Sequence, residues 1–72
     1  MTPEEIKKIR LAVAPSQAAM ARALNVPYRT YQDWEAGQRN PSGLLTALLY
    51  LLSIRPGLYD LLAGRFGQKK KD

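Results

Sequence analysis

Four polar side chains near the middle of the chain could take part in molecular recognition: Tyr28, Arg29, Gln32 and Asp33. Their spacing places them on one face of a helix. They offer donors, acceptors and both signs of charge. The sequence has no histidine and no cysteine, which removes the commonest general base and the thiolate metal ligand. Its acidic residues are scattered and it lacks a glycine-rich phosphate loop. The sequence therefore predicts a binding protein, with no enzyme activity, no cofactor and no metal.

The charge balance favours a polyanionic partner. The 72 residues include 11 Lys and Arg against 6 Asp and Glu, a formal net charge of +5. This basicity favours nucleic acid first and an anionic membrane surface second, although it also fits ordinary solubility. The absence of cysteine fits a reducing compartment, and the polar start MTPEEIKKIR is unlike a signal peptide. The longest apolar stretch, Gly43–Ile54, is shorter than the roughly 20 residues of a membrane span. We expect a cytoplasmic protein that does not enter a membrane.

A pair of short helices joined by a tight turn must position the polar face. Ser16 is a suitable N-cap for the first helix, and Asn25 after it tolerates the left-handed conformation that such a turn requires. Pro27 fits the entry to the second helix, which Gly37 ends. Small residues, above all Ala21, let the two helices approach closely. The pair has too little apolar surface to fold alone.

Three further helices are predicted to supply the missing core. Thr2, Pro3 and Glu5 form a capping box at the start of the chain, and the apolar stretch Gly43–Ile54 suits a buried helix. The predicted helices cover, in chain order, residues 3–14, 16–24, 28–36, a fourth from about 41 or 42 to 54, and 58 to about 63. The pattern predicts an all-α domain over residues 1–66, followed by a disordered basic tail over residues 67–72.

The segment SQAAMARALNVPYRTYQDWEAGQRNPS resembles the Cro/repressor (xenobiotic-response-element) helix-turn-helix family. The features that carry the resemblance are Ser16 and Gln17 at the helix start, Ala21 at the crossing, Val26 after the turn, the W-E-x-G ending at Trp34, Glu35 and Gly37, and the R-x-P-S loop at Arg39, Pro41 and Ser42. The resemblance extends from about Pro3 to Leu62. It implies a five-helix lambda-repressor-like bundle with a central helix-turn-helix.

The inner face of the second helix is predicted to anchor it to the core. Tyr31 and Trp34 lie three residues apart and share this face. Tyr31 stands where the family usually has an aliphatic residue, so its buried hydroxyl needs a hydrogen-bond partner. Glu35 is predicted to form a local ion pair or cap, with Arg10 or Arg39.

The resemblance implies that the outer face of this helix enters the DNA major groove. The predicted base contacts are Tyr28, Arg29, Gln32 and Asp33. Arg29 matches guanine O6 and N7, and Gln32 matches adenine. Asp33 either accepts a hydrogen bond from cytosine N4 or holds Arg29 in position. Tyr28 contacts a thymine methyl or a phosphate, or simply covers the helix start. A solvated Arg29–Asp33 surface pair is the alternative to base contact.

Phosphate contacts are predicted beside this face. The candidates are Gln17, Arg39 and Asn40, with Lys69–Lys71 as loose contacts. Gln17 at a helix N-terminus can bind a phosphate together with backbone N–H groups. Arg22 either joins these residues or is solvated.

The chain carries more apolar residues than a single domain of this size can bury. The candidates for a two-fold dimer interface are Leu51, Leu58, Tyr59 and Leu62. A dimer would read half-sites roughly 34–36 Å apart. The alternative is that these residues close a five-helix monomer.

The leading functional hypothesis is a sequence-specific DNA-binding regulator of transcription. It would be a repressor of phage, plasmid or antitoxin type that binds an inverted-repeat operator as a homodimer. The alternative is an antitoxin-like interaction module that neutralises a partner protein such as a toxin, with DNA binding secondary.

Overall fold

Five α-helices joined by short connections make up the computed structural model, which describes residues 1–67. The helices are α1 (Pro3–Val13), α2 (Gln17–Leu24), α3 (Tyr28–Ala36), α4 (Gly43–Ile54) and α5 (Leu58–Phe66). No strand occurs within the described range. The predicted all-α, five-helix architecture is confirmed. Residues 68–72 of the predicted basic tail lie outside the described residues.

Side-chain caps begin three of the helices; the sequence predicts those at Thr2 and Ser16, and the structure adds one at Ser42. The backbone N–H of Glu5 donates to Thr2 Oγ1 at 3.1 Å, and the backbone N–H of Thr2 donates to Glu5 Oε1 at 2.8 Å. Ser16 and Ser42 each accept from the backbone N–H three residues further on, at 3.1 and 3.3 Å. These bonds satisfy N–H groups that have no partner inside the helix, so α1, α2 and α4 begin where the sequence specifies.

The turn between α2 and α3 depends on one left-handed residue. Asn25 has φ 60° and ψ 42°, and it is the only non-glycine residue with positive φ among residues 1–67. The chain reverses there, and the backbone N–H of Val26 donates to the carbonyl of Ala21 at 3.0 Å. Pro27 is extended and precedes the first turn of α3. The three residues between α2 and α3, Asn25 to Pro27, therefore set the angle between these helices.

The core lies where α2 meets its neighbours. α2 packs against α3 and α5, and α1 packs against α3 and α4. Ala21 is almost completely buried, as the predicted close approach of the two helices requires. The largest fully buried side chains are Ile6, Met20, Tyr31, Leu49 and Leu52. These residues come from α1, α2, α3 and α4, so one core holds the helix pair against α1 and α4.

Helix α5 differs from the prediction, because it continues to Phe66 rather than ending near Ala63. The backbone N–H of Gly67 donates to the carbonyl of Ala63 at 2.8 Å, which keeps the last turn helical. Arg22 of α2 donates through Nε to the carbonyl of Gly67 at 3.0 Å. A cation at a helix C-terminus stabilises the last carbonyls, so Arg22 of α2 adds to the effect of Arg65 in the last turn of α5.

Helix α4 is the most apolar element, yet only Leu49 and Leu52 of its residues are fully buried. It is 12 residues long. Among residues 1–67, no helix has the length and apolar character needed to cross a membrane.

Replacing Asn25 with valine should lower the free energy of unfolding by about 1–2 kcal/mol, because a β-branched residue is strained in the left-handed region. Asn25→Gly removes that strain and should change stability by less than about 0.5 kcal/mol. Urea denaturation followed by circular dichroism measures both variants. Equal losses in the two variants would contradict a conformational role for this position.

Candidate nucleic-acid interface

The inner face of α3 is fully engaged with the core. Tyr31 is completely buried and Trp34 is 4% exposed. Their rings meet edge to face, with centroids 5.7 Å apart, which is a favourable arrangement for two aromatic side chains. The prediction that both residues point inward is confirmed. α3 therefore has one rigidly held side, and its opposite side faces outward.

Glu35 joins three helices through one carboxylate that is largely shielded from solvent. Arg10 of α1 donates from Nε to Glu35 Oε2 at 2.7 Å and from Nη2 to Oε1 at 3.1 Å. Gln17 of α2 donates from Nε2 to Oε1 at 2.9 Å, and the hydroxyl of Tyr31 donates to Oε2 at 2.6 Å. The Glu35 side chain is only 5% exposed and that of Arg10 is 12% exposed. We call these four residues the Glu35 network.

This network answers two questions that the sequence leaves open. The buried hydroxyl of Tyr31 finds its partner in Glu35, and Glu35 pairs with Arg10 rather than with Arg39. Every buried side-chain nitrogen and oxygen in residues 1–67 has a hydrogen-bond partner. A buried ion pair is stable only when its remaining polar atoms are satisfied, and the network meets that condition.

The charges in the Glu35 network perturb the acidity of its members. Burial alone would raise the pKa of Glu35, but the hydrogen bonds from Arg10, Tyr31 and Gln17 outweigh it and lower that pKa. The hydrogen bond to Glu35 raises the pKa of Arg10, and burial raises the pKa of the Tyr31 hydroxyl. Glu35 is therefore a carboxylate, Arg10 a cation and Tyr31 a neutral donor at neutral pH.

The outer face of α3 carries all four predicted base contacts. Tyr28 is 49% exposed, and the side chain of Arg29 is 86% exposed. Gln32 and Asp33 lie on the same side of the helix and are half-buried. The structure thus brings these residues together, opposite Tyr31 and Trp34.

Ion pairs cross this outer face. Asp33 Oδ1 lies 3.8 Å from Arg29 Nε, and Asp33 Oδ2 lies 3.6 Å from Arg39 Nε. Arg39 belongs to the loop after α3, and the left-handed Gly37, with φ 79°, turns the chain at the end of that helix. One predicted base contact and one predicted phosphate contact therefore meet at the same carboxylate.

The predicted phosphate contacts have different surroundings. Arg39 and Asn40 are exposed in the loop after α3. Gln17 is half-buried at the first position of α2, with one amide hydrogen directed to Glu35. Arg22 is exposed and donates to Gly67, so it is not simply solvated. Lys69–Lys71 lie outside the described residues.

The predicted dimer residues divide into two groups. Leu51 is exposed, at 43%. Leu58, Tyr59 and Leu62 are partly buried and pack against the core of their own chain. This packing is what the alternative of a five-helix monomer predicts for them. Each of these three keeps some exposed surface.

Sequence reasoning missed the most exposed aliphatic positions of α4 and α5. On α4 they are Leu44 at 79% exposed and Ile54 at 57%, and on α5 Leu61 is 71% exposed. Leu44, Ala47, Leu51 and Ile54 follow helical spacing and are all exposed, so they form one outward stripe. The spacing was readable in the sequence, but an almost uniformly apolar helix does not reveal which side faces out.

One groove lies away from the α3 face. It has a volume of about 450 Å³ and runs between α1 and the end of α4, where Met1, Lys8, Ile9 and Tyr50 contribute to its walls. Within residues 1–67, no three His, Cys, Asp or Glu side chains are grouped to hold a metal ion. The features that concern recognition are therefore concentrated on α3 and the loop after it.

Comparison with known proteins places the same segment in a known family. A family model described as helix-turn-helix matches residues 6–45, which include all of α2, the turn and α3. Antitoxin HigA-2 of Vibrio cholerae is 36% identical to the chain over 56 residues. The alignment covers 78% of this chain and 54% of the relative. The chain thus spans about half the length of the curated relative that it matches.

Replacing Glu35 with glutamine should lower the free energy of unfolding by about 1.5–3 kcal/mol at pH 7, because it removes the counter-charge of the half-buried Arg10 and weakens its hydrogen bonds. The stabilisation by the wild-type carboxylate is present above the unfolded pKa of about 4.3 and is lost as pH falls through the lowered folded-state pKa. The gap between the two proteins should therefore narrow only below about pH 4.3.

Chemical denaturation at several pH values measures this difference. Glu4→Gln is the control, because Glu4 is exposed in the first turn of α1. A loss in Glu35→Gln no larger than the loss in the control would show that the network does not hold the helices together.

Proposed function

The chain belongs to the helix-turn-helix family, as its Cro/repressor-like motifs indicate, and from this premise we propose that it is a sequence-specific DNA-binding regulator that represses transcription. The observation that carries the proposal is the polar outer face of α3, held in place from behind by Tyr31, Trp34 and the Glu35 network. The net charge of +5 supports a polyanionic partner. Such a protein acts in the cytoplasm, where the DNA is.

In this proposal α3 lies in the major groove. Arg29 bonds a guanine edge and Gln32 an adenine edge, while Tyr28 packs against a thymine methyl or a phosphate. Arg39 and Asn40 contact the phosphates beside the groove. Their exposure leaves both side chains free to reach DNA.

Gln17 fits a phosphate contact even though it binds Glu35. Its amide nitrogen has two hydrogens, and Glu35 accepts one of them. The second can donate to a phosphate oxygen at the N-terminus of α2, where backbone N–H groups also favour an anion. Glu35 thereby orients the group that binds the backbone of the DNA.

The name of the relative supports a regulator of antitoxin type. That protein is called an antitoxin, so we extend the proposal to a chain that represses its own promoter and binds a partner protein of toxin type. The alternative, an interaction module with DNA binding secondary, is not favoured. The segment that the family model matches, residues 6–45, contains the helix pair and its outer polar face, which a purely protein-binding module does not need.

A homodimer completes the proposal. Leu51 belongs to the outward stripe of α4, and Leu58, Tyr59 and Leu62 keep exposed parts on α5. Residues 43–54 carry no charged side chain, so two copies of α4 can face each other without like-charge repulsion. Two copies would present two α3 helices to an inverted-repeat operator.

Arg29→Ala should weaken binding to the operator by about 1–3 kcal/mol and relax base preference at one position of each half-site. The operator is first obtained by selecting bound duplexes from a random library at near-physiological salt. Arg55→Ala, which removes one exposed charge from the loop between α4 and α5, is the control. Unchanged affinity and preference in Arg29→Ala would contradict the assignment of Arg29 to a base.

Leu51→Glu should separate the dimer, because it places a charge in the proposed apolar contact. Sedimentation equilibrium should show two wild-type chains per assembly and one chain for the variant, with operator affinity reduced at least about fivefold. Leu11→Glu on α1, where Leu11 is 64% exposed, is the matched control and should remain dimeric. A wild-type monomer on DNA, or an unaffected Leu51→Glu dimer, would rule out this interface.

A further inference from the structure

The carboxylate of Asp33 on the outer face of α3 forms ion pairs with two arginines. The two oxygens of Asp33 point to different guanidinium groups, at 3.8 Å from Arg29 Nε and 3.6 Å from Arg39 Nε. The Asp33 side chain is 24% exposed, whereas those of Arg29 and Arg39 are 86% and 63% exposed. The carboxylate is therefore the most fixed of the three groups.

The backbone explains why the three charges meet. Arg29 precedes Asp33 by four residues and so lies one helical turn away on the same side of α3. Gly37 then adopts the left-handed conformation, and the backbone N–H of Gln38 donates to the carbonyl of Asp33 at 2.9 Å. This hydrogen bond folds the chain back over the end of α3 and returns Arg39 to the side chain of Asp33.

We propose that Asp33 is a specificity-determining positioning residue. Its carboxylate attracts Arg29 and Arg39, biases where their guanidinium groups lie, and does not itself contact a base. The inference rests on the proposed function, because it concerns how that DNA-binding face discriminates between sequences. It differs from direct recognition of cytosine, for which Asp33 would need an oxygen turned towards the groove and away from both arginines.

The electrostatics give this arrangement a consequence for selectivity. A carboxylate beside the DNA backbone is repelled by phosphates, and it neutralises part of the charge with which Arg29 and Arg39 attract any duplex. At the correct sequence, Arg29 gains a two-point bond to guanine from an orientation that Asp33 has already set. At other sequences, Arg29 can approach a phosphate only by leaving Asp33. Asp33 therefore weakens binding to wrong sequences more than binding to the right one.

The test compares Asp33→Asn with Asp60→Asn, which removes the same charge from an exposed site on α5. Affinities are measured at several salt concentrations for the selected operator and for a scrambled duplex. Exposed ion pairs are weak, so Asp33→Asn should bind the scrambled duplex about three- to tenfold more tightly than Asp60→Asn does. Its affinity should fall more steeply with salt, because the released arginines contact more phosphates.

Base preference gives the second measurement. Asp33→Asn should relax the same operator position that Arg29→Ala relaxes, and it should cause no further relaxation when added to Arg29→Ala. If Asp33→Asn instead alters a different position, and binds scrambled DNA no better than Asp60→Asn, Asp33 reads a base and the inference is wrong. If Asp33→Asn matches Asp60→Asn in every respect, the inference is also wrong while the proposed function stands.

A wild-type chain that selects no sequence gives a separate outcome. It would overturn the proposed function, and this inference with it. The selection on the wild-type protein is therefore made before either aspartate variant is measured.

Discussion

The carboxylate of Glu35 is the interaction on which the arrangement of the helices depends. Tyr31 and Trp34 are the two buried residues of α3, so apolar contact alone attaches this helix through a small area. The carboxylate adds hydrogen bonds to α1, to α2 and to Tyr31 of its own helix. These bonds have defined directions, whereas hydrophobic contact does not. The network therefore sets the orientation of α3 as well as its attachment.

Much of this arrangement could be predicted because it depends on residues that are close together in the sequence. Caps, the left-handed Asn25 and Gly37, and the inward Tyr31 and Trp34 each follow from a few neighbouring residues. The remaining features needed distant contacts. The choice of Arg10 over Arg39 as the partner of Glu35 depends on how α1 crosses α3, and the contact of Arg22 with the end of α5 joins residues 45 positions apart. In α4, apolar residues on every side conceal which side meets the core.

Both faces of α3 carry arginine–carboxylate ion pairs, but those on the inner face are shielded from solvent and those on the outer face are exposed. Behind the helix, Arg10 and Glu35 form a buried pair with short, well-directed bonds. In front, Asp33 faces two exposed arginines at longer distances. Water and salt screen the front pairs much more than the buried one. The buried pair is suited to holding shape, and the exposed pairs are suited to exchanging their partners for those of a ligand.

This division within a single nine-residue helix also bears on how such a protein can change over evolutionary time. Substitutions at exposed positions away from caps and buried networks usually alter stability by no more than about 0.5 kcal/mol. Tyr28 and Arg29 are exposed, and neither belongs to the Glu35 network. Under the proposed function, descendants of this chain can therefore acquire new target sequences by mutations on the outer face of α3, while the fold tolerates each substitution. The base preference of the protein can then change with little effect on the stability of its fold.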